Sequence, residues 1–352
     1  MLYLTEADVE RLLDIPLVLD VVERAFAAWH AGRADNVPRR RAKAPGVVLH
    51  SMSAAAEYLG FVGWKNYTTT RGGAIFHVGL YEAATGRLVA LIEANRLGQL
   101  RTGAVTGLAV KHLSPSSADE LGLIGCGWQA ESQLAAVAAV RPLRRVLVHS
   151  RDPERRRAFA QRMSQQLWLD VMPVAEAREA VEHLPLVVTI TSSRTPVVAG
   201  DWFAPGALVC AAGGNWLEKS ELDLTTFRRA SRVVCDDVAA CQVESGELAA
   251  AVAAGAWSWQ RCEGLAAVIG GAKSSTSGGR GSSDDGSISE GSHGDGSHGG
   301  LTVFKSVGLA LEDLAVAVKL VELAHANRVG QVLPVGDAPK PLGPRPGFTP
   351  GS

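Results

Sequence analysis

The sequence carries no marked excess of charge of either sign: 35 Lys and Arg stand against 36 Asp and Glu, a formal net charge of −1. That balance excludes the basic face needed to neutralise phosphates, so nucleic acid is not an expected partner. No apolar run free of charge and glycine reaches the length of a membrane span, and no membrane association is expected. The opening MLYLTEADVERLL lacks the basic start and unbroken apolar core of a signal peptide. Cysteine is sparse: Cys126, Cys210, Cys235, Cys241 and Cys262 form no CxxC pair and no zinc spacing, so no metal site is expected. An odd number of scattered thiols reads as small core residues in a reducing compartment, which makes the cytoplasm the expected location. What is present is 352 residues at 47% hydrophobic, a globular composition with length for two domains.

Along the chain the patterning changes twice. Thr5 followed by EADVERLL reads as a capped helix start with Asp8 near N3, and a second helix runs from about Pro16 to His30. From Val47 to about Glu93, short β-rich runs separated by glycines predict a mixed or antiparallel sheet. Leu97 to about Leu113 is helical again. Then strands such as ELGLI, RRVLVHS, LPLVVTIT, ALVCAAG and RVVCDD alternate with helical stretches. That alternation predicts a doubly wound parallel α/β domain over residues 114 to about 305. Residues 271–300 are dominated by Gly and Ser and read as a disordered surface loop, because they cannot bury enough apolar area to offset ordering. His293 and His298 within it read as part of a solvated linker rather than as metal ligands. LTVFKSVGLALEDLAVAVKLVELA then gives a short strand and an amphipathic helix. The Pro- and Gly-rich tail after Leu333 is expected to fray.

The clearest local motif is Gly125-Cys126-Gly127-Trp128-Gln129-Ala130, a GxGxxA between a strand and a helix. The first glycine permits the tight turn and the second lets backbone approach a pyrophosphate. The small Ala130 lets helix and strand pack closely. Phosphates would sit at the helix start, where free N–H groups and the helix dipole favour anions, with Trp128 and Gln129 beside them. The next strand ends at Ser150 and Arg151, with Arg155 and Arg156 one turn on, where an NAD site usually carries an acid. A hydroxyl and a guanidinium suit a 2′-phosphate, so NADP(H) is favoured and NAD(H) remains possible; Asp152, just past the tip, argues for the latter. Arg155 and Arg156 also fit a solvated helix face.

With EANRLGQLRTGAVTGLAVKHL before that motif, and SGEL and TVFKSVGLALEDLA after it, the chain resembles the ornithine cyclodeaminase/mu-crystallin family over nearly its whole length. The resemblance implies an α/β fold in which a Rossmann-type doubly wound domain, residues 114–305, is inserted into an α+β substrate and dimerisation domain, residues 1–113 plus 306–340. It also implies a homodimer. Four site residues come with it. Arg40, preferred to Arg39 or Arg41 in PRRR, and Arg101 in RTGA would bind the substrate carboxylate. Lys65 in GWKNY would stand beside the carboxylate or carbonyl. Glu247 in SGEL takes the place where many relatives have aspartate as base or proton relay; Asp236 and Asp237 are fallbacks, Asp236 rather structural. Glu93, Tyr67 and Arg71 are further candidates for the pocket wall, and Trp64 reads as core. The chemistry agrees with these residue types, since an α-carboxylate suits a planar two-donor guanidinium and a lysine in an apolar strand needs an anion.

The family's shared reaction is hydride transfer at a carbon bearing nitrogen. The first expectation is an NAD(P)-dependent oxidoreductase for a small amino or imino acid, a cyclic imine reductase acting on a ketimine such as Δ1-pyrroline-2-carboxylate, or an amino-acid dehydrogenase. An ornithine cyclodeaminase, giving proline and ammonia without net redox change, comes second; glutamate in place of aspartate at 247 and the Ser150-Arg151 tip count against it. The third alternative is a crystallin-like ligand-binding protein without turnover.

Overall fold

A computed structural model describes residues 1–274 and 300–334. Its first part is β1 (Leu2–Leu4), α1 (Glu6–Leu12), α2 (Ile15–His30), β2 (Ala34–Ala44), β3 (Val47–Ala56), β4 (Phe61–Thr70), β5 (Gly73–Glu82), β6 (Leu88–Glu93) and α3 (Asn95–Leu113). The second runs through β7 (Glu120–Ile124), α4 (Trp128–Val140), β8 (Arg145–His149), α5 (Pro153–Leu167), β9 (Val171–Pro173), β10 (Leu186–Thr189) and β11 (Leu208–Ala211). It continues with α6 (Leu224–Arg229), β12 (Ala230–Cys235), α7 (Val238–Glu244), α8 (Gly246–Ala253), β13 (Cys262–Gly264), α9 (Leu265–Ser274) and β14 (Leu301–Lys305). The last elements are α10 (Ala310–Asn327) and β15 (Gln331–Val332).

The two patterns read from the sequence become two sheets. The first has the order β15-β1-β6-β5-β4-β3-β2 and is antiparallel except where β1 pairs with β6. It begins earlier in the chain than Val47: β1 and β2 belong to it as well. The second has the order β13-β12-β14-β11-β10-β7-β8-β9, parallel throughout. The Thr5 capping box with Asp8 forms as the spacing requires. Helix α9 extends through Ser274, past the point where the Gly/Ser-rich loop was expected to start. Residues 275–299 of that loop, with His293 and His298, and the tail from 335 lie outside the described residues.

Helix α10 packs back on β2, β3, β4 and β5, so the parallel sheet is inserted between the early strands and the last helix. Helix α3 ties the two parts together. Its Gly103 and Gly107 face α4 so closely that a Cβ on Gly103 would lie 2.3 Å from the Ser132 carbonyl oxygen, and one on Gly107 3.0 Å from that of Ala136. Absence of side chains at these two positions therefore lets α3, which carries Arg101, lie against the helix that opens at the glycine motif.

Candidate active site

Strand order reverses at β7, whose neighbours are β8 and β10, and a doubly wound sheet opens a crevice at such a point. A groove of about 820 Å³ lies there. Its walls include Gly125 and Gly127 after β7, Ser150, Arg151 and Asp152 after β8, and Thr191 and Ser192 after β10. Gly125 has φ +112°, and a Cβ on it would stand 2.4 Å from the Ile190 carbonyl oxygen, so the turn itself demands glycine. Gly127 differs. A Cβ there would meet only the Arg155 guanidinium, at an ordinary 3.6 Å, so its bareness leaves space for a ligand rather than for the fold. Gly127 is also the N-cap of α4 and provides no side-chain cap, which leaves first-turn N–H groups of that helix for an anion. The groove thus fits a dinucleotide pyrophosphate. Ala130 is buried behind the motif, while Trp128 and Gln129 turn toward a second space.

That second space is a cavity of about 450 Å³ sharing Gly127, Ile190, Thr191 and Ser192 with the groove. Lys65 and Arg101 line it, as do Arg39 and Lys219. Lys65 is 2% exposed and donates to Asp313 Oδ1 at 2.8 Å. Arg101 donates to the same oxygen at 3.0 Å and to Glu312 at 2.7 Å. Burial, with Arg101 adding to it, brings the Lys65 ammonium down to about 8 against the pull of Asp313. Burial pushes Glu312 up to about 8. Two missing side chains keep both cations in place: a Cβ on Gly98 would sit 3.1 Å from Lys65 Nζ, and one on Gly308 2.5 Å from Arg101 Nη1.

The opposite wall is aromatic. Tyr67 stacks on His50 at 4.0 Å and on Phe76 at 4.6 Å, and Trp216 meets His50 edge-on. Arg41 donates to His50 Nδ1, which leaves Nε2 to donate to Thr69 Oγ1 at 3.0 Å. Burial and the Arg41 charge hold His50 down at about 4, so it is neutral near pH 7.

Several positions stand elsewhere than the sequence led us to expect. Arg40 is exposed on β2 and does not line the cavity; Arg39 does, paired with the buried Glu244 and donating to the carbonyls of Val307 and Gly308. The cause is a break in the β2–β3 register between Val37 and Arg40, which shifts the inward alternation by one residue. Glu247 is buried away from the cavity wall, 2.8 Å from Lys305 Nζ and accepting from the Glu221 backbone N–H. Asp236 accepts from Ser306 and from the N–H groups of Val307 and Gly308, and Asp237 caps α7, so both hold backbone. Glu93 binds the Tyr3 hydroxyl and the Glu6 N–H outside the cavity. Arg71 is exposed away from the cavity, whereas Trp64, read from the sequence as core, packs its ring against Gly79. Sequence reasoning sets Arg39 aside for Arg40 and misses His50, Lys219, Asn215 and Trp216 in the walls, and Glu312 and Asp313 behind them. The adjacent acids of ALEDLA stand in the first turn of α10, and their full burial makes them counter-ions.

A Rossmann-type crevice opening into a cavity of buried cations defines a dinucleotide-dependent α/β enzyme. The model of the ornithine cyclodeaminase/mu-crystallin family matches residues 1–327. A Δ1-pyrroline-2-carboxylate reductase of Bacillus cereus is 33% identical over 252 residues, 72% of this chain and 72% of that protein. The structure superposes on Thermococcus litoralis Δ1-pyrroline-2-carboxylate reductase in complex with NADH and L-proline with a TM-score of 0.83, at 28% identity, over 95% of this chain and 100% of the other. An archaeal alanine dehydrogenase dimer with bound NAD gives 0.82 at 27% identity over 94% and 98%. This chain belongs to the ornithine cyclodeaminase/mu-crystallin family.

Proposed function

We propose that the chain is an NADPH-dependent reductase of small imines that carry an α-carboxylate. The observation that carries this reading is the shared wall of groove and cavity: Gly127, Ile190, Thr191 and Ser192 belong to both, and Lys65 and Arg101 line the cavity that adjoins the groove there. A nicotinamide dinucleotide, when bound, supplies the hydride that converts the C=N carbon to C–H. The chain does the rest. Arg101, oriented by Glu312 and Asp313, presents its remaining guanidinium N–H groups to the carboxylate. Lys65 stands beside the nitrogen and gives it the proton that completes the amine, an event eased by its lowered proton affinity. Asp313 holds Lys65 in position. The aromatic wall excludes water.

The preference for NADPH rests on the β8 tip. Asp152 uses one carboxylate oxygen, Oδ1, to cap α5, where it accepts from the N–H groups of Glu154 and Arg155. Ser150 and the exposed Arg151 remain on the groove wall for a 2′-phosphate. A homodimer is part of the same reading: the outward face of the first sheet exposes Val37, Leu49, Val62 and Ile75, and an archaeal neighbour is a dimer. The test follows reduced-nicotinamide absorbance with NADPH and NADH against pyrroline- and piperideine-2-carboxylates and pyruvate with ammonia. Imine-dependent oxidation lost in Lys65→Ala supports the reading. Ammonia release from ornithine without net cofactor change would replace it with cyclodeamination.

A further inference from the structure

Glu247, the acid of the SGEL motif, reaches the site only through other residues. Its Oε2 accepts from the Glu221 N–H at 2.6 Å, and its Oε1 lies 2.8 Å from Lys305 Nζ. Lys305 Nζ donates in turn to the Gly214 carbonyl at 2.8 Å. Burial works against the Lys305 ammonium, but the Glu247 and Glu221 charges outweigh it and raise its proton affinity. Glu221 carries the network forward. One of its carboxylate oxygens accepts from the Thr191 N–H at 2.5 Å and the other from the Gly213 N–H at 2.8 Å. Its carbonyl accepts from the Val197 N–H at 2.9 Å. All three side chains are buried, and none of the three residues lines the groove or the cavity.

The network sits where three neighbouring strands end. Lys305 closes β14, Gly213 lies just past β11 and Thr191 just past β10, and the sheet order there is β14-β11-β10. The two loops approach so closely that a Cβ on Gly213 would lie 2.2 Å from the Thr191 carbonyl oxygen. Thr191 belongs to the wall shared by groove and cavity, and Gly213 to the cavity. The groove's other walls, with Gly125, Gly127, Ser150 and Arg151, come from the loops after β7 and β8. Apolar packing would close the β10 and β11 loops without desolvating two carboxylates; what a charged clamp adds is a single fixed position. We propose that Glu221 is a positioning residue for the nicotinamide half of the dinucleotide, holding these two loops together at the junction of groove and cavity. Glu247 and Lys305 anchor it from behind. The adenosine half is received by the β7 and β8 loops and does not depend on it. This assignment rests on the reductase reading, in which hydride passes at that junction, and deepens it.

Glu221→Gln keeps the size of the side chain but turns an amide NH₂ toward one of the two backbone donors. Calorimetric titration with NADPH and with adenosine 2′,5′-bisphosphate, which lacks the nicotinamide half, separates the two ends of the cofactor. NADPH affinity should fall about tenfold in the variant, the scale of a lost hydrogen bond to a charged group, with less than about a twofold change for the bisphosphate. Should NADH bind tighter than NADPH, the pair titrated is NADH and ADP. At saturating dinucleotide, kcat for Δ1-pyrroline-2-carboxylate should fall by a similar factor while its KM stays within about twofold. Glu247→Gln keeps an acceptor for the Glu221 N–H but loses the charge facing Lys305. It should give the same pattern more weakly, and it is the variant read if Glu221→Gln does not fold. Equal losses for dinucleotide and bisphosphate, no loss for either, or failure of both variants to fold overturns the positioning role. The affinity pattern without turnover of any imine overturns the reductase reading and leaves the positioning role standing.

Discussion

At the scale of single residues the cavity is a balance of buried charges. A lysine that is 2% exposed beside Arg101 gives up its proton more readily than one in water, and Asp313 only partly restores it, so Lys65 titrates at about 8. A proton donor acts in its protonated form. Reductive kcat/KM should therefore hold below about pH 8 and fall as pH rises through it, and a stopped-flow pH profile checks this. Lys65→Met should lower kcat by roughly 10²–10⁴, the usual range for a positioned acid. A limb that stayed at pH 8 in Lys65→Arg would assign the titration to another group. Arg39 and Arg40 are neighbours in sequence with opposite expectations. Arg39 is buried against Glu244, and removing one partner of a buried pair costs about 3–5 kcal/mol. Arg39→Ala should accordingly lower the melting temperature clearly, whereas exposed Arg40→Ala should leave both melting and turnover near the parent. Equal effects in calorimetry would contradict the placement. Choosing between these two arginines was beyond the sequence, because a bulge reverses which residues of a strand face inward and nothing local in PRRR announces one.

At the scale of elements, the strand–turn–helix after β7 was the most legible part of the chain. Its glycine pattern, its apolar strand and its helix all lie within about twenty consecutive residues, so local sterics dictate the arrangement. The two glycines should nevertheless respond differently. Gly125→Ala places a Cβ against the Ile190 carbonyl in a backbone conformation that side chains rarely adopt, and should destabilise the fold. Gly127→Ala makes only an ordinary contact with the Arg155 guanidinium and should leave melting nearly unchanged while weakening dinucleotide affinity, as a paired thermal scan and fluorescence titration would show. Strand β8 supports a prediction about cofactor choice. With the Arg151 guanidinium on the groove wall beside Ser150, Arg151→Ala should raise KM for NADPH about tenfold and change that for NADH little. An equal rise for both would mean that Arg151 serves the shared part of the two cofactors. Less legible were β1 and β2. Residues 2–4 are too short a run to distinguish from the approach to a helix, and β2 carries charged residues at successive positions that hide its alternation.

At the scale of the molecule, the site exists because distant segments converge. Lys65 from β4, Arg101 from α3 and Asp313 from α10 meet only after the parallel sheet has been inserted between the second and third. The two sheet grammars were readable from periodicity, which is local. The pairing of Lys65 with an acid 248 residues away was not, because complementarity between buried charges leaves no periodic trace. The counter-ion of Glu247 illustrates the same point: Lys305 lies in FKS, a motif visible in the sequence, but its partner is fixed only by how β14 enters the sheet between β11 and β12. The outer face of the first sheet poses the last question at this scale. The inner face is covered by α10, while Ile75 is 62% exposed and Val37, Leu49 and Val62 about 40% on the other side. A sheet with one apolar face open to water is stabilised by burying it against a second copy, in an isologous contact where each residue meets its counterpart's neighbours. Placing carboxylates there, as Val62→Asp with Ile75→Glu, puts like charges across that contact. The parent is expected to sediment as a dimer and the double variant as a monomer with unchanged far-ultraviolet circular dichroism. A variant that stays dimeric would move the interface to another surface. Because Lys65 and Phe76 project inward from β4 and β5, the strands whose outer faces carry Val62 and Ile75, dissociation should also reduce kcat/KM in proportion to the monomer fraction.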